Sequence, residues 1–314
     1  IAIHRRGSVH NLGEPVPRGF LQVASVFPAP LIPAGESGRQ QLGDWLASDS
    51  NPLTGRVIVN RVWHWLFGAG LVRTTDNFGT TGELPSHPEL LDYLAGELVE
   101  HDWSLKWLIR EIMLSRTYQL SSQTDEAGLT ADPENRLLAR MNRRRLDAEC
   151  LRDTMLFVSS QLRLDLGGPT VSAGTAADYG YQYLEPRRSI YVPALRNALP
   201  EMFELFDVAD PSVVTGARHA STVAPQALFL LNHPFVSEAA SRAAEFLLSR
   251  PALTSQARLR LAYQSALGRL PTPGESQVAE QYLPDPAASH AEQVQAWQHL
   301  WHALFASLDF RYLE

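Results

Sequence analysis

A mainly α-helical fold is what the sequence predicts: a single irregular helical domain with long loops and a few short β-strands. Three observations carry that reading. Apolar residues recur at i, i+3, i+4 and i+7 over several stretches, as one buried face of a helix requires. Those stretches open on capping residues or on a proline suited to the first helical position. Three of them carry the capping-box spacing, at Ser86/Glu89, Thr272/Glu275 and Ser289/Glu292.

Taken in order, residues 1–50 form an extended Pro- and Gly-rich segment in which helical patterning begins only near Gly38. Residues 51–163 are helical. Asn51-Pro52 starts a helix that runs to Phe67 and stops at Gly68, and Ser86 starts the next, with Leu90, Leu91, Leu94 and Leu98 as its buried face. Ser104 caps a third with the stripe Leu105, Leu108, Ile109 and Ile112. A fourth, from Leu146 to Leu162, is expected to bury Leu151, Met155, Val158 and Leu162. Residues 164–222 read as a long loop holding one strand candidate, Ser189-Ile190-Tyr191-Val192, and residues 223–314 as C-terminal helices. There Pro225 opens a helix, Asn232-His233-Pro234 interrupts it, and further helices follow at 255–267, 273–283 and 290–306. Val294, Trp297, Leu300, Trp301, Leu304, Phe305 and Leu308 repeat at helical spacing and are expected in the core.

Composition excludes several function classes. With 45% hydrophobic and 19% charged residues the chain is too apolar for disorder. No apolar run reaches the roughly 18 residues of a membrane span. The net charge of −7 argues against a nucleic-acid partner. Lys106 is the only lysine among 27 basic residues, and only Arg143-Arg144-Arg145 clusters. The lone Cys150 excludes an intrachain disulfide, a Cys-rich zinc site and a c-type haem attachment, so no cofactor is expected in this chain. Cys150 shares a helix with Leu146 and Leu151 and is expected to be buried and inert. The N-terminal Ile1-Ala2-Ile3-His4 reads as a strand that begins mid-chain, which suggests a fragment of a longer protein.

The chain resembles the planctomycete surface domain family, a domain of unknown function. The resemblance rests on Asn51-Pro-Leu-Thr-Gly-Arg-Val-Ile-Val-Asn-Arg-Val-Trp63, Asn77-Phe-Gly79, Pro85-Ser-His-Pro-Glu-Leu-Leu-Asp92 and Asn142-Arg-Arg-Arg-Leu-Asp147. It extends through Arg188-Ser-Ile-Tyr191, Arg196-Asn-Ala-Leu-Pro200 and Ser221-Thr-Val-Ala-Pro-Gln226 to Leu-Leu-Asn232, so it covers most of the chain. It implies export to the periplasm or cell surface, a place in a large multidomain protein beside a cytochrome c-like module, and a link to redox chemistry or polysaccharide breakdown. It supplies no reaction.

Candidate site residues follow from spacing. Arg56, Asn60 and Trp63 lie at i, i+4 and i+7 and form a polar–aromatic stripe that could hold a sugar; the alternative is a helix buried on two sides. The expected compromise is Trp63 in the core with Asn60 reaching a cleft edge. Arg196, Asn197 and Glu201 follow the strand candidate, and Glu201 or Asp92 could serve as a general acid or base; Glu201 beside Pro200 also has a plain helix-dipole reading. His87 is a further binding candidate, with an exposed loop histidine as its alternative. His299 and His302, at i and i+3, lack a third ligand nearby, so no metal site is expected. Arg145 with Glu149, and Glu149 with Arg152, are spaced to neutralise one another on a solvated helix start, with an anion or partner site as the alternative. Tyr179, Tyr181 and Tyr183 alternate as if to line one side of a lid or contact surface; a loop without a role is the alternative. Two functions remain open: a non-catalytic accessory module that docks to neighbouring domains and contacts polysaccharide, or a polysaccharide-acting enzyme with paired carboxylates. The absence of a recognised nucleophile, metal or phosphate motif favours the first.

Overall fold

The computed structural model describes residues 2–25, 28, 30–171, 181, 183, 185–196 and 198–313. Its helices dominate and its strands are short, so the chain is mainly α. Where the sequence reads as one domain, the backbone groups into two compact units, Ile1–Asn142 and Arg143–Glu314. Among the described residues no helix is long and apolar enough to cross a membrane.

The first unit opens with an antiparallel pair, β1 (Ala2–His4) and β2 (Leu12–Pro15), followed by α1 (Arg39–Leu46). Asn51 then accepts the N–H groups of Leu53 and Thr54 on its side-chain oxygen, at 3.0 and 3.3 Å, and α2 (Thr54–Phe67) begins there. It ends where Gly68 turns left-handed at φ 80° and donates to the carbonyl of His64. The next helices are α3 (Pro88–Glu100), α4 (Leu105–Leu114) and the short α5 (Glu126–Ala131). Val59, Trp63 and Phe67 of α2 meet Leu94 and Leu98 of α3 and Leu108 of α4 in one core. Trp63 stacks on Phe67 with ring centres 4.3 Å apart.

Two expectations about helix boundaries and faces fail in this unit. Ser86 and Glu89 do not form a capping box, because His87 takes the cap position and Pro88 the first helical one, which moves Glu89 out of phase. Of the stripe on α4, Leu108 and Ile112 are buried while Leu105 and Ile109 stay exposed.

The second unit runs from β3 (Arg144–Arg145) through α6 (Ala148–Val158), α7 (Glu201–Leu205), α8 (Ala224–Asn232) and α9 (Pro234–Leu248). It continues with α10 (Ser255–Leu267), α11 (Pro273–Tyr282), α12 (His290–Ala306), α13 (Leu308–Arg311) and β4 (Tyr312–Leu313). Alanines 239, 240, 243 and 244 give α9 a flat face, which lets α12 pack along it with Trp297, Trp301 and Phe305 buried. Both capping boxes here form as read, Thr272 with Glu275 and Ser289 with Glu292. Leu308, expected in the core, is exposed at the start of α13, where the helical phase of α12 has already been broken at Ser307. The strand β3 pairs antiparallel with β4, Arg144 opposite Leu313 and Arg145 opposite Tyr312, and joins the two ends of the unit.

The strand candidate Ser189–Val192 is a 3-10 turn over Ser189–Tyr191. Asp153 imposes it: the N–H and hydroxyl of Ser189 donate to Asp153 Oδ1 at 2.8 and 2.6 Å, and this local bonding wins over the β preference of Ile190 and Val192. The expected helix to Leu162 stops at Val158, after which Ser160 takes a left-handed conformation at φ 59°.

Candidate functional site

A concave surface that gathers several kinds of chemistry lies along α6. The residues Ala148, Leu151, Met155 and Val158 face the core. Cys150, Asp153, Thr154 and Phe157, at i, i+3, i+4 and i+7, therefore line the opposite face. With Asp147, Glu149, Leu162, Arg188, Ile190 and Arg218 they enclose an open groove of about 530 Å³. Its apolar side is Phe157 and Ile190, 67% and 74% exposed.

Two carboxylates of the groove, Glu149 and Asp153, are already bonded. Arg218 holds Glu149 through two parallel bonds of 2.7 and 2.9 Å, with Asp147 3.9 Å away. The bond to Glu149 raises the Arg218 pKa further, against the cost of burial. Asp153 accepts from Ser189, and Arg152 beside it donates to the carbonyls of Glu185 and Arg187 at 2.7 and 2.9 Å. Burial lowers the Arg152 pKa, while the neighbouring Asp153 pulls it back up. These bonds tie the segment 185–189 to α6.

Cys150 corrects the sequence reading, because it is exposed. One residue around the helix from Leu151 is a rotation of about 100°, enough to leave the core. Its thiol is nevertheless held in the protonated form. Desolvation, and then the carboxylates of Asp147, Glu149 and Asp153, push its pKa up.

The residues singled out from sequence are placed elsewhere. Arg56 donates through Nε to Asp92 Oδ1 at 2.7 Å and through Nη1 to the carbonyl of Pro52 at 2.6 Å. The hydrogen bond from Arg56 lowers the Asp92 pKa, so Asp92 is ionised and a poor proton donor at neutral pH. Trp63 is buried in the first core, and Asn60 is fully buried rather than at a cleft edge. Asn60 binds both backbone groups of Val72, accepting its N–H at 2.8 Å and donating to its carbonyl at 2.9 Å. Gly70 is required beneath it, since a Cβ there would stand 2.4 Å from the Val72 oxygen and 2.8 Å from Asn60 Oδ1. His87 is half-buried with Nδ1 3.0 Å from the Ser86 hydroxyl.

Asp92 belongs to the first unit and Glu201 to the second. Glu201 is exposed, 3.8 Å from His233 Nε2. Arg196 is exposed in a turn, and Asn197 lies outside the described residues. So does Tyr179; Tyr181 donates to the carbonyl of Thr170 at 3.4 Å, and Tyr183 lies with its ring centre 5.7 Å from the Arg152 guanidinium. His299 Nδ1 is 2.5 Å from the Tyr282 hydroxyl and His302 Nε2 2.9 Å from the Leu230 carbonyl, so the two histidines serve different partners. Among the described residues no three His, Cys, Asp or Glu side chains gather as a metal site needs.

The arginine cluster is also corrected. Arg145 precedes α6 on β3 and does not reach Glu149. It is 7% exposed and pairs with Asp207 Oδ2 at 2.6 Å, while donating to the carbonyls of Phe206 and Ser221. Ser221 returns its N–H and hydroxyl to Asp207 at 2.8 Å each. Those donors outweigh burial and lower the Asp207 pKa.

Sequence reasoning missed the groove. The stripe Cys150–Asp153–Thr154–Phe157 was a legible signal. The bond from Arg218, 69 residues away from Glu149, left none.

A family model described as PSD1, protein of unknown function (DUF1553), matches residues 38–283. No curated protein matches the chain, and no solved structure does.

Proposed function

Since this chain belongs to the PSD1 family of proteins of unknown function, we propose that it is a non-catalytic accessory module of an exported multidomain protein. It docks to neighbouring cytochrome-like domains and offers the groove along α6 to polysaccharide. One observation carries the reading: the carboxylates Glu149 and Asp153 in the groove are engaged by Arg218 and Ser189, while Phe157 and Ile190 stay open to solvent. Acid–base catalysis needs carboxyl oxygens free to reach a substrate proton. An exposed ring beside fixed polar groups is instead a recognition surface, since the ring can lie against an apolar sugar face while the rim bonds its hydroxyls.

The test is affinity electrophoresis of the chain through gels containing soluble glucans, mannans and xylans, paired with a reducing-end assay on the same polymers. Retardation by at least one polymer, lost in Phe157→Ala and without release of reducing ends, is expected. Release of reducing ends by the wild type, abolished by Asp153→Asn, would replace this reading with the enzymatic one. Equal mobility of the wild type and Phe157→Ala in every gel would remove polysaccharide from it.

A further inference from the structure

The last turn of α1 carries an unfavourable charge. Carbonyl ends gather at a helix C-terminus and leave partial negative charge there, which lysine, arginine or histidine offsets. α1 has no basic residue in that turn and has Asp44 instead. Asp44 is exposed, and among the described residues it makes no hydrogen bond or ion pair. Two sources of negative charge therefore meet with no cation paired to them.

Asp44 also lines a cavity of about 260 Å³, with Pro28, Pro30, Trp45, Ser48 and Ser50 among its walls. That is just below the roughly 300–1,000 Å³ of pockets for drug-sized ligands, so the space suits a small molecule. Phe20 stacks on Trp45 with ring centres 5.3 Å apart and steadies the indole from outside the cavity. An indole is the best aromatic partner for a cation. A metal ion would be short of ligands, because Asp44 is the only His, Cys, Asp or Glu among the described lining residues. A bare ammonium group brings N–H donors that proline and indole walls cannot accept. Methyl groups on the nitrogen suit those walls and keep the charge. We propose that this cavity binds a quaternary ammonium compound, its cation beside Asp44 and against the Trp45 indole. The hydroxyls of Ser48 and Ser50 lie 2.7 Å apart and bond each other, which leaves one O–H of the pair to donate to a polar group on the ligand.

The probe is choline, titrated as its chloride into the isotope-labelled whole chain, with the indole N–H resonance of Trp45 as the readout. Trp45→Phe assigns that resonance by removing it. A saturable shift with a dissociation constant of about 1–10 mM is expected, as for one cation held by one ring and one carboxylate. Sodium chloride at equal ionic strength should not reproduce it. The decisive comparison is the neutral analogue of choline in which carbon replaces the charged nitrogen. It has the same shape and should bind at least about tenfold more weakly. Asp44→Asn should weaken choline about tenfold. Its thermal midpoint should not fall below that of the wild type, because an exposed and unfavourable charge is removed, and this certifies the fold. Absence of a saturable shift up to about 100 mM choline overturns the proposal. Equal binding of the neutral analogue overturns it too, as does binding indifferent to Asp44→Asn. Phosphatidylcholine vesicles then distinguish the source of the ligand. Cosedimentation that choline competes away and Asp44→Asn abolishes assigns it to a lipid headgroup, and choline binding without cosedimentation assigns it to a dissolved amine. The probe carries no sugar and the cavity lies in the first unit, so failure here is distinguishable from failure of the polysaccharide reading.

Discussion

The α9–α12 pair and the segment that closes the second unit around Asp207 are parts of one folding unit, yet different forces hold them. Along α9 and α12 the contact is continuous and apolar, with alanines on one side and buried tryptophans on the other. From Phe206 to Ser221 the chain has little regular structure. There the guanidinium of Arg145 grips Asp207 and two carbonyls 61 and 76 residues away. The first arrangement spreads its stabilisation over many small contacts. The second concentrates it in a few polar atoms, each costly to orphan.

The largest expected effect breaks the apolar side of that comparison. Trp297, 1% exposed, should cost about 3–5 kcal/mol when changed to alanine, as truncation of a fully buried large aromatic does. Chemical denaturation followed by circular dichroism measures it, and a loss under about 1 kcal/mol would mean that the helix pair tolerates a cavity there. Next is Arg145→Ala, which leaves Asp207 as a largely buried anion without its guanidinium; about 3 kcal/mol is expected. Asp207→Asn in the same background should recover part of it by removing the stranded charge. No recovery would show that the arginine acts through the carbonyls instead.

Asn60→Ala carries the comparison into the first unit, where one amide closes the turn to Val72. Both backbone groups of Val72 lose their partner, and a destabilisation of about 2 kcal/mol is expected. The smallest effect is a pH dependence. Glu275 caps α11 and bonds Arg269, and that hydrogen bond brings its pKa down to about 2. A carboxyl with a depressed folded pKa stabilises the fold above its unfolded value and loses that contribution as pH falls. Thermal midpoints should therefore decline between pH 4.5 and about 2, less steeply in Glu275→Gln. The difference should be about 1 kcal/mol, since the pair is partly exposed and screened. Parallel declines in the two proteins would remove Glu275 as the cause.

What the sequence disclosed follows the same division. The C-terminal helices were legible because their signals are local: Thr272 and Glu275, Ser289 and Glu292, and Gly268 at φ 68° mark boundaries within a few residues of one another. Trp297, Trp301 and Phe305 declare their face by spacing alone. The middle was not legible, because its conformation depends on partners far along the chain. Ser189–Tyr191 looked like a strand until Asp153, 36 residues earlier, bonded it into a turn. Arg145 looked like a neighbour of Glu149 until Asp207 claimed it. Of the candidate site, the stripe on α6 is present in the sequence, and Cys150 leaves the core although its neighbour Leu151 is buried. A helical projection separates the two.

The pairing of β3 with β4 has a mechanical consequence. Because Arg144 lies opposite Leu313 and the strands run antiparallel, the chain enters the second unit and leaves it at the same end of a two-stranded ribbon. The ladder bonds lie across the strands. Tension applied through the flanking chain therefore peels them one at a time instead of shearing them together. The second unit should yield at its stem under a small force, with Leu313 and Tyr312 letting go first while the α9–α12 core stays whole behind them.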